Sequence, residues 1–266
     1  MISKDRGIDA LTGFAEEAVR GAGQEAMAYY GKGRPDIKFD EDLVTRAELH
    51  LNEFFQDRLL ERFPDHEVFR NTPGETAAPR EGKHSLWIYD PLDGVANFQA
   101  GIPVWGMSLA LLENFWPVLG MFHMPVTGDL FQARADGGAF RNGLKIHVGG
   151  QGSLNDESLL LTYSRIHREY ETTFPGKIRS LGCGAAHICY VAMGRAEAAL
   201  VANESYQDLA AACIIVKAAG GKIFRMDGNK FFISDYLDGE RADEHLLVAA
   251  PEMYPLVRKC LRKKSR

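Results

Sequence analysis

The sequence predicts an α/β fold in two layered lobes, and three observations predict it. Two helix-length amphipathic patterns precede residue 65, strand patterns at hairpin spacing fill 85–141, and strands alternate with helices from about 150 onward. With 266 residues the chain can bury a large core, as one big domain or as two fused lobes. The expected division is 1–150 and 151–266, with a boundary that is soft between 145 and 155.

The first helix is expected over 7–30, where Ile8, Leu11, Ala15, Val19, Ala22 and Ala26 recur every three or four positions. Gly31-Lys32-Gly33-Arg34-Pro35 stops it. The second runs over about 43–62, with Leu43, Ala47, Leu51, Phe55 and Leu59 on one face, and ends at Phe63-Pro64-Asp65-His66. Strands then follow at Leu86–Tyr89, Val104–Leu112, Pro117–Phe122 and Leu130–Arg134, separated by short turns such as Thr127-Gly128-Asp129. Such a meander makes a mainly antiparallel sheet, and Asn142-Gly143 is expected to mark its end. Beyond it, strands are expected at Leu159–Leu161, Ala198–Val201, Lys222–Phe224 and Leu246–Ala249. Helices are expected at Ala185–Met193 and Leu209–Ala219, with Pro251–Lys264 as a closing helix carrying Pro in its first turn.

Composition narrows the function. There are 31 Lys+Arg against 36 Asp+Glu, a formal net charge of −5, which disfavours a general nucleic-acid binder. The basic cluster of the last nine residues reads as a solvated helix end. Four cysteines (Cys183, Cys189, Cys213, Cys260) show no metal-ligand spacing and fit a reduced, cytoplasmic protein. No apolar run reaches the ~18 residues of a membrane span, and the polar start is unlike a signal peptide. The histidines His50, His66, His84, His123 and His187 read as surface or satisfied core residues.

The chemistry concentrates in Trp87-Ile88-Tyr89-Asp90-Pro91-Leu92-Asp93-Gly94-Val95-Ala96-Asn97-Phe98. A strand delivers Asp90 at its end, Pro91 is expected to force a turn, and Asp93 follows three residues on. Two carboxylates on one turn can flank a hard cation such as Mg²⁺, which takes oxygen ligands. Gly94 then opens a helical turn whose N–H groups point toward an anion. A plain strand-end turn capped by two aspartates fits the spacing equally well, because Asp-Pro and Asp-Gly are common turn dipeptides.

This segment is similar to the first signature of the inositol monophosphatase family of Mg²⁺-dependent phosphomonoesterases. The similarity continues through Gly120–Phe131, Gly138–Gly143, Arg179–Ala186, Gln207–Ala212 and Ala219–Gly221, in family order over roughly 40–225. The resemblance implies an α-β-α-β-α sandwich with the active cleft between the lobes, commonly in a homodimer. It implies Mg²⁺ held by Asp90, the Leu92 carbonyl, Asp93 and Asp208, with the amides of Gly94 and Val95 cradling the phosphate. Gly182, Cys183 and Gly184 correspond to the loop that touches the substrate alcohol. Mg²⁺ in such a site polarises the phosphoryl oxygens, makes hydroxide available and stabilises the leaving alkoxide.

The chain departs from the family pattern at four places. The family's metal-binding Glu falls at Asn71, a neutral ligand beside Arg70, with Glu75 as a possible substitute if the loop is reshaped. Val95 replaces a Thr or Ser hydroxyl that orients and deprotonates the attacking water, a loss on the order of 10²–10⁴ in rate. Glu48 stands for the partner Asp, its extra methylene shifting the oxygen by about an ångström. Seven residues before Asp208, Val201 replaces a hydroxyl-binding Glu, with Glu204 three residues further on, so myo-inositol 1-phosphate is not the favoured substrate. Arg165, His167 and Arg168 lie where relatives build substrate walls and read as a second anion contact or as a solvated loop. The expectation is a phosphatase of a small sugar- or polyol-phosphate, with Glu48, Asp90 and Asp93 catalytic. The alternative is an impaired member that binds a phosphorylated ligand or a protein partner.

Overall fold

Two helices open the chain, α1 (Ile2–Ala26) and α2 (Glu41–Arg62), in a computed structural model that describes residues 2–34, 36–37, 39–69, 84–150, 152–229, 231–233 and 244–264. Helix α2 starts two residues earlier than its apolar pattern suggests, because Asp40 caps it and accepts the Leu43 N–H at 3.2 Å.

Among the described residues the first sheet has seven strands in chain order: β1 (Glu67–Val68), β2 (Ser85–Asp93), β3 (Gly106–Glu113), β4 (Trp116–Met124), β5 (Asp129–Arg134), β6 (Gly138–Arg141) and β7 (Leu144–Ile146). A short helix α3 (Val95–Ala100) follows β2. Only β1 and β2 pair in parallel, so the meander is antiparallel as expected. Asn142-Gly143 does not end it. With φ of 49° and 79°, the pair forms a tight two-residue turn into β7.

The second half contains β8 (Leu159–Thr162), α4 (Ile166–Glu169), β9 (Tyr170–Thr172), β10 (Lys177–Arg179), α5 (Gly184–Ala192), β11 (Ala198–Val201), α6 (Tyr206–Ala218), β12 (Lys222–Arg225), β13 (Leu246–Ala249), α7 (Tyr254–Lys259) and β14 (Leu261–Lys263). Its main sheet runs β10-β8-β11-β13-β12, with β13 antiparallel to both neighbours. The closing helix expected over Pro251–Lys264 is corrected to a six-residue helix followed by a strand. Leu261 is buried in the core and pairs with Thr172, and Arg262 forms an ion pair with Glu171, so pairing with β9 overrides the helical pattern.

Alternation along the strands sorts the core into layers. In β2, Trp87 and Tyr89 face α1 and α2, while Leu86 and Ile88 face α5 and α6. In β11, Ala199 and Val201 face α5 and α6, while Ala198 and Leu200 join Ile166 of α4 and Val257 of α7. The result is the α-β-α-β-α sandwich. Helix α6 lies against β4 because Gly120 has no side chain: a Cβ there would stand 2.8 Å from the Ala211 carbonyl oxygen. The expected boundary near 150 falls between β7 and β8.

Candidate active site

In a regular strand, residues three apart point to opposite faces. Asp90 and Asp93 escape that rule. Strand β2 does not turn at Pro91 but continues to Asp93, with a register shift between the two aspartates. Proline has no N–H to place in the ladder, and the Leu92 N–H donates to Asp90 Oδ1 at 3.0 Å. The bulge thereby turns both carboxylates toward one cavity. Gly94 ends the segment at φ 86°, where a Cβ would come within 2.9 Å of the Val104 carbonyl oxygen.

Asp93 reaches across to the second half of the chain. It accepts hydrogen bonds from the Ala185 N–H at 2.6 Å, the Gly184 N–H at 3.3 Å and the Cys183 thiol at 3.1 Å, and so caps α5. Asp208 lies in the first turn of α6. Its Oδ2 accepts the Ser205 N–H at 2.6 Å, and Ser205 Oγ accepts the Asp208 N–H, a capping box. Gln207 donates to the Tyr89 carbonyl at 3.2 Å, tying α6 to β2 just before Asp90. Glu48 and Asn52 come from one face of α2, one turn apart. These groups line an open cavity of about 400 Å³ together with Pro91, Leu92, Gly94, Val95 and Glu204, and among the described residues no Lys, Arg or His lines it.

Crowded carboxylates disfavour one another's charge. Burial, the charge of Asp208 and that of Asp93 hold Asp90 well above the usual carboxylate range, against the pull of the Leu92 N–H and with a further push from Glu48. Burial and Asp208 push Asp93 up to about 6, although its three donors pull the other way. Burial also raises Glu48. Asp90 Oδ2 is buried and has no hydrogen-bond partner, a costly state for an ionised oxygen in the absence of a cation. Among the described residues no group of three or more His, Cys, Asp or Glu side chains is gathered so as to hold a metal ion by itself. The carboxylates that line the cavity are nonetheless hard oxygen donors. They suit a divalent ion that keeps water or substrate oxygens among its ligands, as Mg²⁺ does.

The sequence profile described as the inositol monophosphatase family matches residues 8–258. This chain belongs to the inositol monophosphatase family. A fructose-1,6-bisphosphatase/inositol-1-monophosphatase of Thermotoga maritima is 31% identical over 82% of this chain and 85% of its own length. A histidinol-phosphatase of Chlorobaculum parvum is 30% identical over 85% and 88%. The fold is shared with extragenic suppressor protein suhB from Bartonella henselae, at a TM-score of 0.76 and 23% identity over 94% of this chain and 97% of that one. Members of the inositol monophosphatase family are metal-dependent phosphatases of small phosphorylated metabolites.

The family signature residues are placed as follows. Asp90, Leu92, Asp93, Gly94, Val95, Asp208 and Glu48 all line the cavity. Val95 also packs against the α1–α2 side of the core, so an isopropyl group stands where the resemblance implies a hydroxyl. Gly182, Cys183 and Gly184 are not in the lining. The Cys183 side chain is 2% exposed and its thiol turns to Asp93, so of this loop only backbone remains for a substrate. Asn97 fixes the loop by donating to the Leu181 carbonyl at 2.7 Å and the Val104 carbonyl at 2.6 Å. His187 accepts the Leu181 N–H, and burial lowers its pKa to about 4, a satisfied core histidine. Asn71 and Glu75 lie outside the described residues.

The hydroxyl-binding position assigned to Val201 needs correction. Its side chain is 1% exposed, in the core between the sheets, because alternation along β11 points it inward. No sugar hydroxyl faces it. Glu204 lines the cavity instead, together with Asn52 and Gln207. The i, i+4 spacing of Asn52 from Glu48 was the signal for Asn52. Glu204 was marked in the sequence as the acid three residues after Val201, and Gln207 only as the start of the Gln207–Ala212 segment.

Proposed function

We propose that the protein is a Mg²⁺-dependent phosphatase acting on a small sugar- or polyol-phosphate monoester, working as a homodimer. The observation that carries this reading is Asp90, whose unpartnered buried oxygen belongs to a cavity shared with Asp93, Asp208 and Glu48. Asp90, the Leu92 carbonyl, Asp93 and Asp208 are the groups assigned to hold the cation, with Asn71 or Glu75 as a further ligand. Bound there, Mg²⁺ supplies Lewis-acid polarisation of the phosphoryl oxygens and charge for the leaving alkoxide.

The protein's own groups do the rest. The amides of Gly94 and Val95 hold phosphate oxygens. Glu48, its carboxyl raised by burial, takes the proton of the attacking water as the water oxygen bonds to phosphorus and the ester P–O bond breaks. Val95 offers no hydroxyl to share that proton transfer, so Glu48 acts alone and turnover is slow for the family. The backbone of Gly182, Cys183 and Gly184, which lies outside the lining, is assigned to the departing alcohol on the family resemblance alone.

Hydrolysis of a phosphomonoester panel with and without Mg²⁺ tests the reading. Wild-type protein is expected to release phosphate only with Mg²⁺, and Asp90→Asn to lower the rate by about 10³ or more. Val95→Thr is expected to raise it about tenfold or more. Should phosphate appear only with the Val95→Thr, Asn71→Glu double variant, the native protein is a binder of phosphorylated ligands and the hydrolase reading fails.

A further inference from the structure

Strand β3 sends one polar side chain into the middle layer of the sandwich. Ser108 is 1% exposed, and alternation along β3 turns it to the same side as Ala110 and Leu112, toward α5 and α6. Among the described residues its hydroxyl has no hydrogen-bond partner. The strand register places it directly opposite Asp90 of β2. Opposite residues of an antiparallel pair share a face, with Cβ atoms about 4.5–5.5 Å apart. Asp90 is also the residue whose Oδ2 is buried without a partner. A hydroxyl that can donate and a carboxylate oxygen that can accept thus stand side by side on neighbouring strands, each unpaired.

The rest of that sheet face offers Ser108 nothing. Its same-face neighbours along β3 are Gly106 and Ala110, and the residue opposite it on β4 is Phe122. The Phe122 ring lies over Gly106, where a Cβ would stand 2.8 Å from its Cε2 and Cζ. Asp90 is therefore the polar side chain beside Ser108 on the sheet. Packing does not call for serine here either, since alanine would occupy the same space without a buried hydroxyl, which is costly when unpaired. Asp90 Oδ1 already accepts the Leu92 N–H at 3.0 Å, so a second bond at Oδ2 would fix the carboxylate plane. Each carboxylate oxygen can take more than one partner, so that bond leaves a place for a cation. No direct hydrogen bond joins the two as they stand, and a change of serine rotamer or one bridging water closes a span of this kind.

We propose that Ser108 is a positioning residue for cation binding: its hydroxyl bonds the Asp90 carboxylate from behind the cavity lining and holds it in the orientation that ligates the metal. The proposal rests on the reading of Asp90 as a cation ligand.

Mg²⁺ calorimetry and melting scans in chelator, on wild type and on Ser108→Ala, test it together. The variant is expected to bind Mg²⁺ about 10–100-fold more weakly, the usual effect of removing a group that orients a metal ligand. Its melting temperature in chelator is expected to equal or exceed that of wild type, because an unpaired buried hydroxyl has gone. A serine with a merely structural role would not move the two readouts apart in this way. Where an ester is hydrolysed, the variant should need more Mg²⁺ while KM for the ester at saturating Mg²⁺ stays unchanged. An affinity within about twofold of wild type overturns the proposal, and so does a lower melting temperature accompanying weaker binding. If wild type binds no Mg²⁺, the cation reading and this proposal fall together. If it binds Mg²⁺ but hydrolyses no ester, only the hydrolase reading falls, and the affinity ratio still decides the role of Ser108.

Discussion

Asp93 holds two positions at once, as cap of α5 and as a cavity carboxylate, and its titration records the conflict. Its pKa rises from 3.8 to about 6 on folding, because burial and Asp208 outweigh its three donors. A raised carboxylate binds more protons folded than unfolded, so its contribution to stability is present below about pH 4 and is lost as pH climbs past 6. Metal-free wild type is therefore expected to lose thermal stability relative to Asp93→Asn across that window. The two melting temperatures should stand in a fixed relation near pH 4, with the variant gaining on wild type by pH 7. Melting scans in chelator at a series of pH values read this out, and a difference that stays flat would show that burial and Asp208 together do not raise Asp93. Mg²⁺ should restore the wild-type loss, since a bound cation replaces the proton. The sequence disclosed these carboxylates through their spacing and family likeness. It did not disclose that Val201 points inward, because period-2 alternation in a four-residue strand depends on where the strand begins.

At the scale of elements, the site depends on how closely α6 approaches the first sheet. Gly120 in β4 sets that distance, since a methyl there would meet the Ala211 carbonyl at 2.8 Å and Ile214 Cβ at 2.9 Å. Gly120→Ala is expected to push α6 outward at a cost of about 1–3 kcal/mol, the usual range for overpacking. Asp208 and Gln207 ride on the first turn of α6, so the same change should weaken divalent-cation binding by calorimetry as well as lower the denaturant midpoint. A loss of stability with cation affinity intact would show that the first turn is held by the Gln207–Tyr89 bond instead. Long elements were legible because their apolar faces repeat many times: Leu43, Ala47, Leu51, Phe55 and Leu59 of α2 are all buried, as their pattern places them. Short ones were legible only in part. Strand β14 reads as helix from its own residues, and only its partner Thr172, some ninety positions earlier, makes it a strand.

Across the whole molecule, the middle layer joins the two halves. Helices α5 and α6 share one apolar cluster with Ile88 and Phe122 of the first sheet and Val201 and Val248 of the second. Lobes 1–150 and 151–266 are thus proposed as topological rather than independent units, and the protein is expected to unfold in one transition, with calorimetric and van 't Hoff enthalpies in a ratio near one. Two resolved heat-absorption peaks would show separate domains. The choice of probe matters here. All three tryptophans belong to the first sheet or to the loop that leads into β3: Trp87 and Trp105 are fully buried on the α1–α2 side, and Trp116 stands 76% exposed at the start of β4. Indole emission therefore watches one outer layer and is blind to everything beyond α5. An optical melt followed at that wavelength would look single whether or not the far sheet had already come apart, and an indole placed within the five-stranded sheet would give the far layer a signal of its own.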